Sequence, residues 1–249
     1  MTGFKSYVIC TAPRSGSTLL CEMLKATGQA GVPASYFHRP SLDVWAEKFD
    51  VSERSDAARF EAVLEAVRHA GTGATGVFGL RLQAHSRDYF FQRLQEFCPA
   101  PSDLAALQGV FGTTRFVWLR RADKLAQAVS LVKAEQTGLW HRARDGSDFE
   151  RIGPPADPEF DADRLLQVAR EMVEQDLAWW DWFAREGIEP LELTYENLAE
   201  DPSGVLRQVL ESLDLNPALA LGVVPGVAKL ADAVSLDWLT RLRALDQTR

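Results

Sequence analysis

Apolar positions along this chain change spacing repeatedly, and the changes predict strands and helices in turn. An unbroken apolar run inside 6–11 (Tyr7, Val8, Ile9, Cys10) reads as a buried strand. Leu20, Met23, Leu24 and Thr27 then recur at helical spacing, predicting a helix over 17–27 that Gly28 stops. Residues 29–55 read as irregular or short-helical, with Pro33 and Pro40 among several aromatics. Phe60, Val63, Leu64 and Val67 form a helical stripe over 54–70, closed by Gly71. A strand at 76–82, a helix at 86–97 with Ser86 as N-cap, a short helix at 102–107 and a strand at 115–119 follow. The next helix carries Leu125, Ala128, Val129 and Val132 on one face.

Residues 138–160 mix Gly, Pro, Arg and Asp without period. Long loops inside compact domains are usually functional, so this segment reads as a substrate-side lid. Beyond it lie a long amphipathic helix over 161–185, a strand at 190–194 and a helix at 202–213. The long helix carries Leu165, Leu166, Ala169, Met172, Val173, Trp180 and Phe183. Its Trp179, Trp180 and Trp182 fall on different faces and read as packing residues, not as a platform for sugar rings. Strands alternating with helices from end to end predict an α/β fold with a central parallel sheet flanked by helices.

The chain has 249 residues, 46% of them hydrophobic, enough for one good core, and reads as a single domain over 1–249. Its 27 basic and 35 acidic residues give a net charge of −8, which disfavours nucleic acid or an anionic membrane as the main partner. Cys10, Cys21 and Cys98 show no paired spacing, so neither a disulfide framework nor a zinc site is predicted. With no recognisable signal peptide and no apolar run long enough to span a membrane, a reducing cytoplasm fits best.

The chemistry concentrates in two places. Between the first strand and first helix lies Ala12-Pro13-Arg14-Ser15-Gly16-Ser17-Thr18. A strand–loop–helix turn aims backbone N–H groups and the positive end of the helix dipole at one point, the geometry of an anion site. Arg14, Ser15, Ser17 and Thr18 add side-chain donors. The loop is a poor Walker A motif, because Ser17 stands where that motif requires Lys and its first Gly is missing. The second place is Arg120-Arg121 at the end of the 115–119 strand, with Ser130 on the following helix. An Arg at a strand end and a Ser nearby can converge on one anion. Arg120 and Arg121 are equally eligible.

These motifs, in this order, resemble the bacterial trehalose 2-sulfotransferase family. The resemblance extends through Gly28-Gln-Ala-Gly31-Val-Pro33, Gly76-Val-Phe-Gly79-Leu-Arg81-Leu82, Gln136-Thr-Gly-Leu-Trp140, Thr194-Tyr195-Glu-Asn-Leu198, and Lys229-Leu-Ala-Asp232 with Trp238. It implies a P-loop-like sulfotransferase fold and a 3′-phosphoadenosine-5′-phosphosulfate (PAPS) donor that leaves as PAP. The implied acceptor is a hydroxyl of a sugar-like small molecule, with no metal. Pro13 to Thr18 would grip the 5′-phosphosulfate, Arg14 acting catalytically. Arg121 and Ser130 would hold the 3′-phosphate, helped by Lys229. Ser35, Tyr36, Phe37, Arg81 and Trp140 would face the acceptor. A homodimer is open.

One departure bears on mechanism. The family carries a Glu as general base in a Pro-x-Glu-aromatic-Phe pattern, whereas this chain reads Pro33-Ala34-Ser35-Tyr36-Phe37. A neutral hydroxyl cannot accept a proton as a carboxylate does. His38 and His85 become candidate bases, with Asp43 and Glu47 behind them. The same departure leaves open a PAP- or PAPS-binding protein without transfer activity; a P-loop kinase is a further alternative.

Overall fold

The computed structural model describes residues 4–226 and 232–246. Its elements are β1 (Ser6–Thr11), α1 (Ser17–Ala26), α2 (Leu42–Lys48), α3 (Asp56–Thr72), β2 (Phe78–Gln83), α4 (Ala84–Phe97), α5 (Asp103–Phe111), β3 (Thr114–Arg120), α6 (Lys124–Thr137), β4 (Leu139–Arg142), β5 (Asp148–Arg151), α7 (Ala162–Glu186), β6 (Leu191–Thr194), α8 (Tyr195–Glu200), α9 (Pro202–Ser212) and α10 (Ala233–Asp246).

Four strands form a parallel sheet in the order β2-β1-β3-β6. In register, Thr11 at the end of β1 faces Gln83 on one side and Leu119 on the other, while Arg120 faces Thr194. The carboxyl ends of the strands are therefore level, and the loops that leave them share one edge of the sheet. The chain moves from β1 outward to β2 and then returns to place β3 on the opposite side of β1. That reversal is the switch point beside which open α/β sheets bind ligands.

Side chains alternate across β1. Val8 and Cys10 enter an aromatic core with Phe37, Trp45, Phe60, Phe90, Trp179 and Trp182 beneath α2–α5 and the end of α7. Tyr7 and Ile9 enter a mostly aliphatic core with Leu20, Leu24, Leu198 and Leu206 from α1, α8 and α9. A third cluster joins α6, the first half of α7 and α10 through Val129, Leu165, Met172 and Trp238.

The structure corrects the sequence reading in several places. β2 covers Phe78–Gln83, not 76–82. α4 begins at Ala84, so Ser86 is a buried interior residue and not the cap. α3 runs through Gly71, where a Cβ would lie 2.5 Å from the Phe78 ring, so close packing and not helix termination requires glycine there. On α7, Trp179 and Trp182 are buried, but Val173 and Trp180 are exposed. Part of the 138–160 segment is an antiparallel hairpin of β4 and β5. Among the described residues, no helix is long and apolar enough to cross a membrane.

Candidate active site

β1 ends at Thr11, and residues 12–16 turn the chain into α1. Four contacts fix this loop from behind. The Thr11 hydroxyl donates to the Leu119 carbonyl at 2.8 Å and also pairs with the buried Ser15 hydroxyl. The Trp179 indole N–H donates to the Thr11 carbonyl at 3.0 Å, and the Gln127 amide donates to the Pro13 carbonyl at 2.6 Å. Arg14 adopts φ +62°, the left-handed region an arginine occupies only when its surroundings impose it.

Gly16 precedes α1 with φ +83° and caps it without a side-chain bond, and the first turn holds no acidic residue. The N–H groups of that turn have no intrahelical partners and point to where an anion would sit. A Cβ on Gly16 would lie 2.8 Å from Cδ2 of Tyr195. Gly16→Ala is expected to cost about 1–2 kcal/mol from the left-handed backbone alone, plus the clash; a lowered denaturation midpoint in urea would register it.

The side chains on the loop meet residues distant in sequence. Arg14 donates from Nε to Ser130 Oγ at 3.0 Å and from Nη1 to the Trp140 carbonyl at 2.6 Å. The guanidinium of Arg121 lies 4.4 Å from the centroid of the Tyr195 ring. Its Nε is buried without a hydrogen-bond partner among the described residues, as is that of Arg120. Arg120, one residue earlier, packs instead over Trp118 and reaches Glu192 at 4.0 Å. Arg120, the last residue of β3, and Arg121, the first beyond it, thus meet different neighbours, and Arg121 is the one beside Arg14. Burial and the neighbouring Arg121 charge hold the pKa of Arg14 down, to about 10; burial lowers that of Arg121 as well. Both remain cations at neutral pH, poorly solvated and close together, an arrangement that an anion would relieve.

The Thr194-to-Leu198 motif has a structural meaning here. Thr194 caps α8 through the Asn197 N–H. Tyr195 lies under Arg121 and against Gly16. The Glu196 carboxylate accepts from the N–H groups of Ala122 and Asp123 at 3.1 and 3.3 Å, pinning the corner that carries Arg121.

A second network lies around Thr18. Its Oγ1 accepts from Arg81 Nη1 at 2.7 Å and lies 3.0 Å from His141 Nε2 on β4. Arg81 also donates from Nε to Ser35 Oγ at 2.7 Å, and Lys48 donates to the Ser35 carbonyl at 3.0 Å. Glu150, on β5, brings Oε2 to 3.6 Å from His141 Nε2. Sequence reasoning missed both His141 and Glu150. The Asp145-Gly146 turn between them is the hairpin signal that could have found them.

Other predicted residues sit elsewhere. Ser17 is buried at the start of α1. Tyr36 and Phe37 are core side chains, Tyr36 donating to the Val32 carbonyl at 2.6 Å and Phe37 packing on Trp45 and Phe90. Trp140 offers its carbonyl to Arg14, while its indole packs against the α6–α7 cluster. His38 and His85 are exposed and meet edge to face, ring centres 5.2 Å apart; no hydrogen bond among the described residues ties either to the loop. Asp43 is paired with Arg59 at 2.8 Å. Lys229 lies outside the described residues. Among the described residues, no group of three His, Cys, Asp or Glu side chains could hold a metal ion.

An uncapped helix start and three nearby arginines form an arrangement that can hold strongly anionic groups, and comparison with known proteins gives the class: the protein is a sulfotransferase. Residues 6–245 match the family model described as Stf0 sulphotransferase, and the chain belongs to that family. It is 30% identical to the trehalose 2-sulfotransferase of Mycobacterium tuberculosis (strain ATCC 35801 / TMC 107 / Erdman), over 96% of this chain and 95% of that one. It is 28% identical to the trehalose 2-sulfotransferase of Mycolicibacterium smegmatis (strain ATCC 700084 / mc(2)155), over 96% and 94%. A crystal structure of a sulfotransferase from Alicyclobacillus acidocaldarius aligns with TM-score 0.46 and 14% identity, over 99% of this chain and 93% of that one. A sulfotransferase needs a sulfonate donor, and the donor set around Arg14 fits such a group.

Proposed function

We propose that this enzyme moves the sulfuryl group of PAPS to a hydroxyl of a carbohydrate or carbohydrate-like small molecule, releasing PAP, and that residues 1–249 do so as one domain in the cytoplasm. The observation that carries the reading is the 3.0 Å contact of Arg14 with Ser130, with Arg121 alongside. It joins the loop motif and the strand-end motif into one cationic site beside the switch point of the sheet. Such a site suits a nucleotide with phosphate at both its 5′ and 3′ positions.

In this reading the amides at the start of α1, with Arg14, take the 5′ end, where negative charge grows on the leaving phosphate as the sulfur–oxygen bond lengthens. Fixed donors aimed at developing charge are among the strongest catalytic devices. Arg121 and Ser130 take the 3′-phosphate, and its oxygens supply the partner that Arg121 Nε lacks. Arg81, Ser35 and Thr18 line the acceptor side. The sugar acceptor is supported by the two relatives, whose names give trehalose as their substrate. Ser17 in place of a Walker lysine argues against a kinase. Free Cys10, Cys21 and Cys98 suit a reducing compartment.

PAP is expected to raise the melting temperature of the protein more than ADP does. Transfer of labelled sulfate from PAPS should then appear in trehalose or another sugar of a small panel. Stronger stabilisation by ADP, or PAP binding with no transfer to any sugar or cell-extract hydroxyl, would overturn the reading.

A further inference from the structure

We infer that His141, on the β4–β5 hairpin, is the proton acceptor for the acceptor hydroxyl in sulfuryl transfer. The inference rests on the donor reading above. Ser35, in the Arg81 network, has no carboxylate to offer. The imidazole on the hairpin is joined to that same network: Arg81 donates to Thr18 Oγ1, which lies 3.0 Å from His141 Nε2, and in the tautomer protonated on Nδ1 the Thr18 hydroxyl donates to that nitrogen. That tautomer places an unprotonated ring nitrogen against the first turn of α1, one residue along β4 from the Trp140 carbonyl that Arg14 holds. Among the described residues no hydrogen bond joins the exposed His38–His85 pair to this network, although the Arg81 charge reaches His38.

The charges around His141 come from three elements. Arg14 on the loop and Arg81 on β2 oppose the imidazolium, and Glu150 on β5, 3.6 Å from Nε2, favours it. Burial, then Arg14 and Arg81, push the His141 pKa down to about 3, so the ring is neutral at pH 7. A doubly anionic phosphosulfate against the two guanidiniums would offset their pull and raise the basicity of the ring when donor is bound. The proton of the acceptor O–H then passes to Thr18 Oγ1 as the Thr18 proton passes to His141 Nε2, while the acceptor oxygen bonds the sulfur. The bond from sulfur to the bridging oxygen breaks, and that oxygen leaves on the phosphate with the electron pair.

His141→Gln is expected to lower kcat about a hundredfold or more, to leave PAP affinity by calorimetry within threefold, and to abolish the acidic limb of the kcat–pH profile. Free imidazole should restore part of the rate of His141→Gly. Glu150→Gln, as a second variant that keeps the ring, should move the acidic limb to lower pH, because the imidazolium loses its carboxylate. In ¹⁵N spectra of the full chain, saturating PAP should raise the pH at which His141 titrates. A His141→Gln enzyme within threefold of wild type, an acidic limb that survives His141→Gln or disappears with His38→Gln, or a His141 signal indifferent to PAP would overturn the assignment. Failure of the donor reading would show separately, as wild-type protein that neither binds PAP nor transfers from PAPS.

Discussion

Arg14→Ala is expected to slow sulfuryl transfer on the order of a hundredfold or more, while leaving the melting temperature unchanged or slightly raised. The two halves of this expectation share one cause. Among the described residues the Arg14 guanidinium donates only to neutral groups, the Ser130 hydroxyl and the Trp140 carbonyl, and Arg121 stands nearby with the same sign. Ligand-free protein therefore holds a partly buried cation with no ion-pair partner among the described residues, and only the more distant Glu150 carboxylate offsets it, so it contributes little to folding. The interaction that repays this is made only when an anion is present, and it grows as charge builds on the leaving phosphate. Arg14→Lys should fall between, keeping the charge but losing the planar fork that reaches two partners at once. Single-turnover transfer from PAPS and a parallel melting curve decide the matter. An Arg14→Ala enzyme within threefold of wild type would remove the loop from the chemistry.

The part of this site legible in the sequence is the part held together locally. A continuous apolar strand, a Gly-containing turn and an apolar-periodic helix declare β1, the loop and α1 within some twenty residues of sequence, and the pieces meet by backbone geometry alone. What topology brings together was not legible. Arg14 meets Ser130 across 116 positions and Thr18 meets His141 across 123. Nothing in either segment announces the other. Arg120 and Arg121 could not be told apart until the pairing of β3 set which faces the α8 side and which packs over Trp118. The hairpin escaped because its strands are four residues long and have no fully buried position, so apolar alternation was too weak to outweigh the surrounding Gly and Pro. On α7, tryptophans at three of four consecutive positions satisfy several helical stripes at once, and only the packing partners select Trp179 and Trp182 over Trp180.

Trp179→Ala is the substitution expected to cost most in stability, about 3–5 kcal/mol, which for a chain of this length lowers the melting temperature on the order of ten degrees. Trp179 is fully buried, stacked on Phe183 at 5.6 Å and edge-on to Trp182. Truncation would leave an indole-sized void where α7 meets β1, ringed by rigid aromatic neighbours that cannot collapse into it. The residue also links the core to the loop, because its N–H is held by the Thr11 carbonyl at the last position of β1, immediately before residues 12–16. Trp179→Phe separates the two roles. It keeps most of the apolar volume and removes only the hydrogen bond, so its stability cost should be nearer 1–3 kcal/mol, the range for leaving a buried carbonyl unsatisfied. If that bond orders the loop, Trp179→Phe will lower PAP affinity and kcat by more than its modest loss of stability explains, and by more than a core substitution remote from the loop, such as Phe60→Leu. Equal effects from the two substitutions would mean that Trp179 serves the core alone.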